Sequence, residues 1–143
     1  RLGRLAMLAC GGQLALWGSL LPAQRAYLAV FGGTGLTGRE AVYQALQRGL
    51  EVKVLARDPS KMLAPLGSAG DKADKLIEDP KLSVVQGDVT KLEDVEKIIG
   101  EGLTGVVVSL GGKTADVGAT MLTDGTSNII TAMKKVGAKR VAV

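Results

Sequence analysis

The sequence has no histidine and a single cysteine, Cys10, among its 143 residues. Without an imidazole no His-based catalytic triad can be assembled, and one thiol supports neither a disulfide nor a Cys/His zinc site. Aromatic residues are scarce: one Trp, two Tyr and one Phe leave little surface on which nucleic-acid bases could stack. Carboxylates are missing from the whole beginning of the chain, the first being Glu40. That gap accounts for most of the formal net charge of +4, because Arg1, Arg4 and Arg25 precede every acid, and from residue 26 onward 15 basic residues face 14 acidic ones. The later part is nearly neutral, so no nucleic-acid partner is expected.

The opening stretch differs in kind from the rest. Arg1 and Arg4 lead into an apolar run over residues 5–21 that contains three glycines, and Pro22 and Ala23 follow it. A basic start, an apolar stretch and a small residue behind a helix breaker describe a signal or transit element, and the lack of acids suits an organelle transit peptide. The run is short for a membrane span. Residues 1–26 are therefore expected to be a leader, directing the protein to a plastid, a mitochondrion or the secretory pathway. A membrane anchor and an unprocessed leader are the alternatives. The mature domain is expected to lack cysteine and stable membrane insertion. Because the chain starts at Arg1 and stops inside the apolar run 140–143, the domain expected over residues 27–143 is truncated after its fifth strand.

From Tyr27 onward, apolar strands alternate with helical stretches. Residues 27–31 read as a buried strand. Over 36–48, Leu36, Val42, Tyr43, Ala45 and Leu46 recur at helical spacing, with Gly49 as the stop. Residues 51–55 form the second strand, with Val52 and Val54 on one face. The segment 58–80, punctuated by Pro59, Pro65, Gly67, Gly70 and Pro80, reads as loop with a short helix over 71–78. A third strand is expected over 82–86, a helix over 92–99, a fourth strand over 104–110, a helix over 121–136 and a fifth strand over 140–143. Continuous apolar strands separated by helices imply an α/β fold, a doubly wound parallel sheet covered on both faces. Right-handed crossovers give the order 3-2-1-4-5 and a switch point between strands 1 and 4, a Rossmann-type NAD(P)-binding arrangement.

The glycine run Gly32-Gly33-Thr34-Gly35-Leu36-Thr37-Gly38 falls directly after the first strand and opens a helix. Without side chains the backbone can approach a pyrophosphate, whose charge meets free N–H groups at the helix N-terminus. Spacing alone permits two registers, Gly33/Gly35/Gly38 or Gly32/Gly35/Gly38. No Gly-Lys-Ser/Thr follows, so this is not an ATPase-type loop. At the end of the second strand, where an NAD-preferring chain usually carries a carboxylate for the ribose 2′-hydroxyl, stands Arg57, with Lys61 four residues on. A guanidinium there suits a 2′-phosphate and points to NADP(H), whereas Asp58, on a rotated loop, would suit the unphosphorylated ribose.

Three further sets of residues stand at strand ends. Asp88 and Val89 follow strand 3, where an Asp can accept from the adenine amino group and a Val can pack on the ring; the alternative is that Asp88 caps the next helix. Ser109, Leu110, Gly111 and Gly112 end strand 4 and border the ribose and nicotinamide, or form a plain turn. Asp124, Ser127 and Asn128 on the following helix serve either the site or the fold.

Taken together, Val30-Phe31-Gly32-Gly33-Thr34-Gly35-Leu36-Thr37-Gly38, Ala56-Arg57-Asp58-Pro59-Ser60-Lys61 and Gly87-Asp88-Val89 resemble the NmrA-like atypical short-chain dehydrogenases, and within them flavin reductases of the biliverdin reductase B type. The resemblance covers residues 27–143. It selects the loop register Gly32, Thr34, Gly35, Thr37 and Gly38, with Gly33 in place of a usual Ala and Leu36 where the flavin reductase is polar. It implies that Thr34, Gly35, Leu36 and Thr37 touch the pyrophosphate, that Arg57, Ser60 and Lys61 meet the 2′-phosphate, that Asp88 and Val89 hold the adenine, and that Leu110 and Gly111 line the nicotinamide side. It also implies an NADPH-dependent oxidoreductase that passes a hydride to a flavin or another planar acceptor such as a quinone or tetrapyrrole, or else a catalytically inactive NADP-binding sensor or scaffold; an isomerase, epimerase or other reductase on this fold is the third alternative. The Tyr-x-x-x-Lys pair of ordinary short-chain dehydrogenases is absent, since Tyr27 and Tyr43 are followed four residues later by Phe31 and Gln47, but that pair normally lies beyond strand 5, so its absence carries no weight. The flavin reductase mechanism needs no such pair, so no catalytic residue is assigned.

Overall fold

A computed structural model of the chain describes residues 26–112 and 118–143. The leader expected over 1–26 lies outside the described residues apart from Ala26, which is exposed. In chain order the elements are β1 (Tyr27–Phe31), α1 (Leu36–Gln47), β2 (Glu51–Ala56), β3 (Leu82–Gln86), α2 (Leu92–Glu96), β4 (Leu103–Val108), α3 (Met121–Val136) and β5 (Val141–Ala142). Short 3-10 turns at Pro59–Lys61 and Gly70–Lys72 interrupt the long connection from β2 to β3. All five strands pair in parallel in the order β3-β2-β1-β4-β5, as the alternation of strands and helices predicts.

Alternation along the strands divides the core into two. Ala29, Phe31, Leu55, Val106 and Val108 point to one face, where Val95 of α2, Ile98, and Ile129, Ala132 and Met133 of α3 cover them. Val30, Val52, Val54 and Ala56 point to the other, against Val42, Ala45 and Leu46 of α1 and against Met62. A strand buried on both sides needs apolar residues at successive positions, and this explains the unbroken run in β1 and the run Val54-Leu55-Ala56 that ends β2. Gly49 ends α1 as expected: at φ +79° it sits where a side chain would be strained, and its N–H donates to Leu46 O at 2.8 Å. Gly137, φ +71°, ends α3 in the same way.

Some expected elements differ, and the fifth strand is formed only over Val141–Ala142. The helix expected over 71–78 is not formed. Instead Leu63 and Leu76 make an antiparallel bridge, with Ala64 N donating to Lys75 O at 2.8 Å and Asp74 N to Ala64 O at 3.0 Å, so the excursion pairs with itself. The helix expected over 92–99 keeps α-geometry only through Glu96, because Lys97 and Ile98 bond back three residues rather than four. The fourth strand begins one residue early and stops at Val108, which leaves Ser109 and Leu110 as loop at its C-terminal end.

Candidate dinucleotide-binding cleft

The C-terminal ends of β1, β2, β3 and β4 open into one cleft of about 220 Å³. Its walls include Gly32, Thr34 and Gly35 from the glycine loop, Arg57 after β2, Asp88 and Val89 after β3, and Leu110 and Gly111 after β4. Segments far apart in sequence meet here because a parallel sheet brings all its C-terminal strand ends to one end, and the strand order changes its direction of winding between β1 and β4.

The glycine loop is built by close approach. Gly32 has φ +79°, and a Cβ there would lie 2.4 Å from Ser109 O, so loop and β4 end lie flush. Ser109 fastens them: its N–H donates to Phe31 O at 2.9 Å and its hydroxyl faces Phe31 O and Gly32 O, each at 3.2 Å. Gly38 lies behind the loop, buried, where a Cβ would fall 2.1 Å from Gly32 O. Its function in the described structure is to let α1 start this close to β1. Gly33, in place of a usual Ala, faces Val54, whose Cγ1 would be 2.6 Å from an added Cβ. Arg39 holds the loop from outside, its Nε donating to Thr34 O at 3.0 Å while Nη1 reaches Asp74 at 3.4 Å. Gly35 precedes α1 in extended geometry with no side chain to cap the helix, so the first-turn N–H groups of Leu36, Thr37 and Gly38 carry no capping side chain. Leu36 is 79 % exposed, and Thr37 is exposed beside it; neither lines the cleft.

After β2 the polar residues separate by role. Gln86 Nε2 donates to Arg57 O at 3.3 Å, and Gly87 N donates to Ala56 O at 3.0 Å, which fixes the main chain from which Arg57 projects. Asp58 turns back on its own turn, accepting from Ser60 N at 3.1 Å and Ser60 Oγ at 2.6 Å, with Lys61 Nζ at 3.8 Å. These bonds hold the Asp58 carboxyl below the usual carboxylate range, the Ser60 hydroxyl contributing most. Ser60 and Lys61 are exposed on this turn and do not line the cleft.

Asp88 does not cap α2, whose N-cap position is Lys91 and carries no side-chain cap. Its Oδ1 accepts from Thr90 N at 2.9 Å and Thr90 Oγ1 at 2.8 Å, a local turn that leaves the residue on the cleft wall. The Thr90 N–H first and the Thr90 hydroxyl second hold its carboxyl below the ordinary range, with smaller help from the charges of Arg57 and Lys91. Of the three polar residues singled out on α3, Asp124 and Ser127 are exposed, whereas Asn128 Nδ2 donates to Val89 O at 3.0 Å. Sequence reasoning passed over Thr90 and Met121, which line the cleft, and over Arg39 and the fastening function of Ser109. A threonine two residues after an Asp was the one available signal among these, since it marks a side-chain-stabilised turn.

Among the described residues no group of His, Cys, Asp and Glu is placed to hold a metal ion, and no helix is long and apolar enough to cross a membrane.

Known proteins with this arrangement are numerous. The chain is 31 % identical over 115 residues to an uncharacterized chloroplastic protein of Arabidopsis thaliana, matching 78 % of this chain and 38 % of that one. Among solved structures, the enzyme WbmH of Bordetella bronchiseptica in complex with NAD+ superposes with a TM-score of 0.63 at 21 % identity, over 82 % of this chain and 38 % of that one. Uronate dehydrogenase of Agrobacterium tumefaciens superposes with a TM-score of 0.57 at 20 % identity, over 82 % of this chain and 40 % of that one. At such identities these two structures establish the fold alone, and the chain spans less than half the length of each relative. A family model described as NAD(P)H-binding matches residues 32–143, from the first glycine of the loop onward, and the chain belongs to that family.

Proposed function

We propose that the cleft binds NADP(H) and that the intact protein is an NADPH-dependent reductase of planar acceptors, flavins first among them. The observation that carries the cofactor choice is the pairing of Arg57 on the cleft wall with an Asp58 committed to Ser60 and Lys61. A carboxylate free to face the ribose would repel a 2′-phosphate; one locked into its own turn leaves the guanidinium to set the preference. The glycine loop fits a pyrophosphate. Gly32 and Gly38 remove the side chains that would separate loop, helix and β4, and the first turn of α1 offers uncapped N–H groups to an anion.

On this reading Thr34, Gly35, Leu36 and Thr37 bind the pyrophosphate, Arg57 binds the 2′-phosphate with Ser60 and Lys61 on the adjoining turn, and Asp88 and Val89 bind the adenine. Leu110 and Gly111 border the nicotinamide side, where a Cβ on Gly111 would meet nothing within 4 Å among the described residues. The cofactor supplies a hydride when bound. The protein's contribution is to hold one flat ring where another can stack on it, a positioning effect that requires no proton-transfer residue.

Incubating the intact protein with NADPH and riboflavin or FMN tests the activity, and NADPH consumption with the hydride recovered on the flavin is expected. Saturable NADPH binding without oxidation across flavins, quinones and linear tetrapyrroles would leave the inactive NADP-binding sensor or scaffold in its place.

A further inference from the structure

The main chain around Asp88 and Val89 is held from two sides. Asp88 N donates to Asp94 Oδ2 at 2.9 Å, and Asn128 Nδ2 on α3 donates to Val89 O at 3.0 Å. These bonds fix the peptide before Asp88 and the peptide after Val89, and with them the direction in which both side chains leave the loop. Gly125, one turn before Asn128, lets α3 come against the Val89 side chain: a Cβ at Gly125 would lie 2.9 Å from Val89 Cγ1 and 3.1 Å from Cγ2. A buried glycine in the interior of a helix sacrifices helix propensity, and the close contact with Val89 is the reason the structure offers for it. Val89 and Asp88 are also cleft-lining residues.

We infer that Gly125 and Asn128 are positioning residues for the adenine end of the cofactor, Gly125 setting the depth of the Val89 side chain and Asn128 tethering its carbonyl. The inference rests on the proposed reading of the cleft as a dinucleotide site. It accounts for two α3 residues that touch no expected ligand and yet shape the wall that would.

Two variants test it, measured with NADPH, with 2′,5′-ADP as the adenine end, and with reduced nicotinamide mononucleotide as the other end, the weak binders being read by ligand-observed NMR. Asn128→Asp keeps the shape but replaces the donor with an acceptor facing Val89 O. Gly125→Ala gains helix propensity while pushing Val89 aside, two opposed effects on stability, so its melting temperature is measured beside its affinities. Both variants are expected to weaken NADPH and 2′,5′-ADP by about fivefold or more, and the mononucleotide by less than about twofold. The Gly125→Ala penalty should shrink when Val89→Ala is combined with it, because the clash is then relieved. Equal losses for all three ligands, or none, would overturn the inference while leaving the dinucleotide reading in place. A parent protein that fails to bind 2′,5′-ADP would overturn that reading and the inference together.

Discussion

Asp88 shows what a single residue's surroundings decide. Its carboxylate is stabilised by the Thr90 N–H and hydroxyl, and Arg57 and Lys91 add positive charge nearby. A carboxyl held below its ordinary value binds its proton less readily in the folded state than in the unfolded one. It therefore contributes stability above the ordinary carboxylate range, and that contribution is lost as the pH falls through the lower folded value. Below roughly pH 4 the urea midpoint of the parent should fall more steeply than that of Asp88→Asn, which has no proton to take up there. Parallel profiles for the two proteins would contradict this account of the turn. The residue types at the cleft were legible because glycine runs, a strand-end arginine and a Gly-Asp-Val turn have recognisable chemistry. Their partners were not. Nothing in sequence spacing links Ser109 to Gly32 or Asn128 to Val89, since each bond crosses between elements that only the fold brings together.

Strands were more legible than helix ends. β1 and β3 fall where the residue pattern predicts: β1, between two neighbouring strands, carries an unbroken apolar run, and the edge strand β3 carries Leu82, Val84 and Val85. The early end of α2 has a cause that local sequence cannot show: Tyr27 Oη donates to Ile98 O at 3.0 Å and accepts from Gly100 N at 2.9 Å, tying the end of this segment to the start of β1. The excursion 58–80 was expected to contain a helix, and its self-pairing depends on backbone bonds between Ala64 and residues 74 and 75. Tyr27 lies at the opposite end of β1 from the glycine loop, so its contribution should be to stability alone. Tyr27→Phe is expected to cost about 1–3 kcal/mol in urea unfolding, as Ile98 O and Gly100 N lose their partner, and to leave NADPH affinity unchanged. A loss of affinity with unaltered stability would show that the two ends of the sheet are not divided in this way.

At the scale of the whole molecule, one parallel sheet with helices on both faces gathers four strand ends into a single cleft, and the NAD(P)H-binding family assignment covers the segments that line it. The topology was predictable because right-handed crossovers leave few ways to wind alternating strands and helices. The proposed acceptor was not, because a nucleotide-binding pattern describes only the cofactor side, and the chain spans 38 % of its chloroplastic relative. The proposed selectivity of this cleft for NADP(H) rests on Arg57. Calorimetric titration of the protein and of Arg57→Ala with NADPH and NADH in parallel tests it most directly. The parent is expected to bind NADPH the more tightly, and Arg57→Ala to lose about tenfold or more for NADPH, a charge-assisted contact, while NADH changes little. Equal losses for the two cofactors, or a parent that binds NADH as tightly as NADPH, would contradict it.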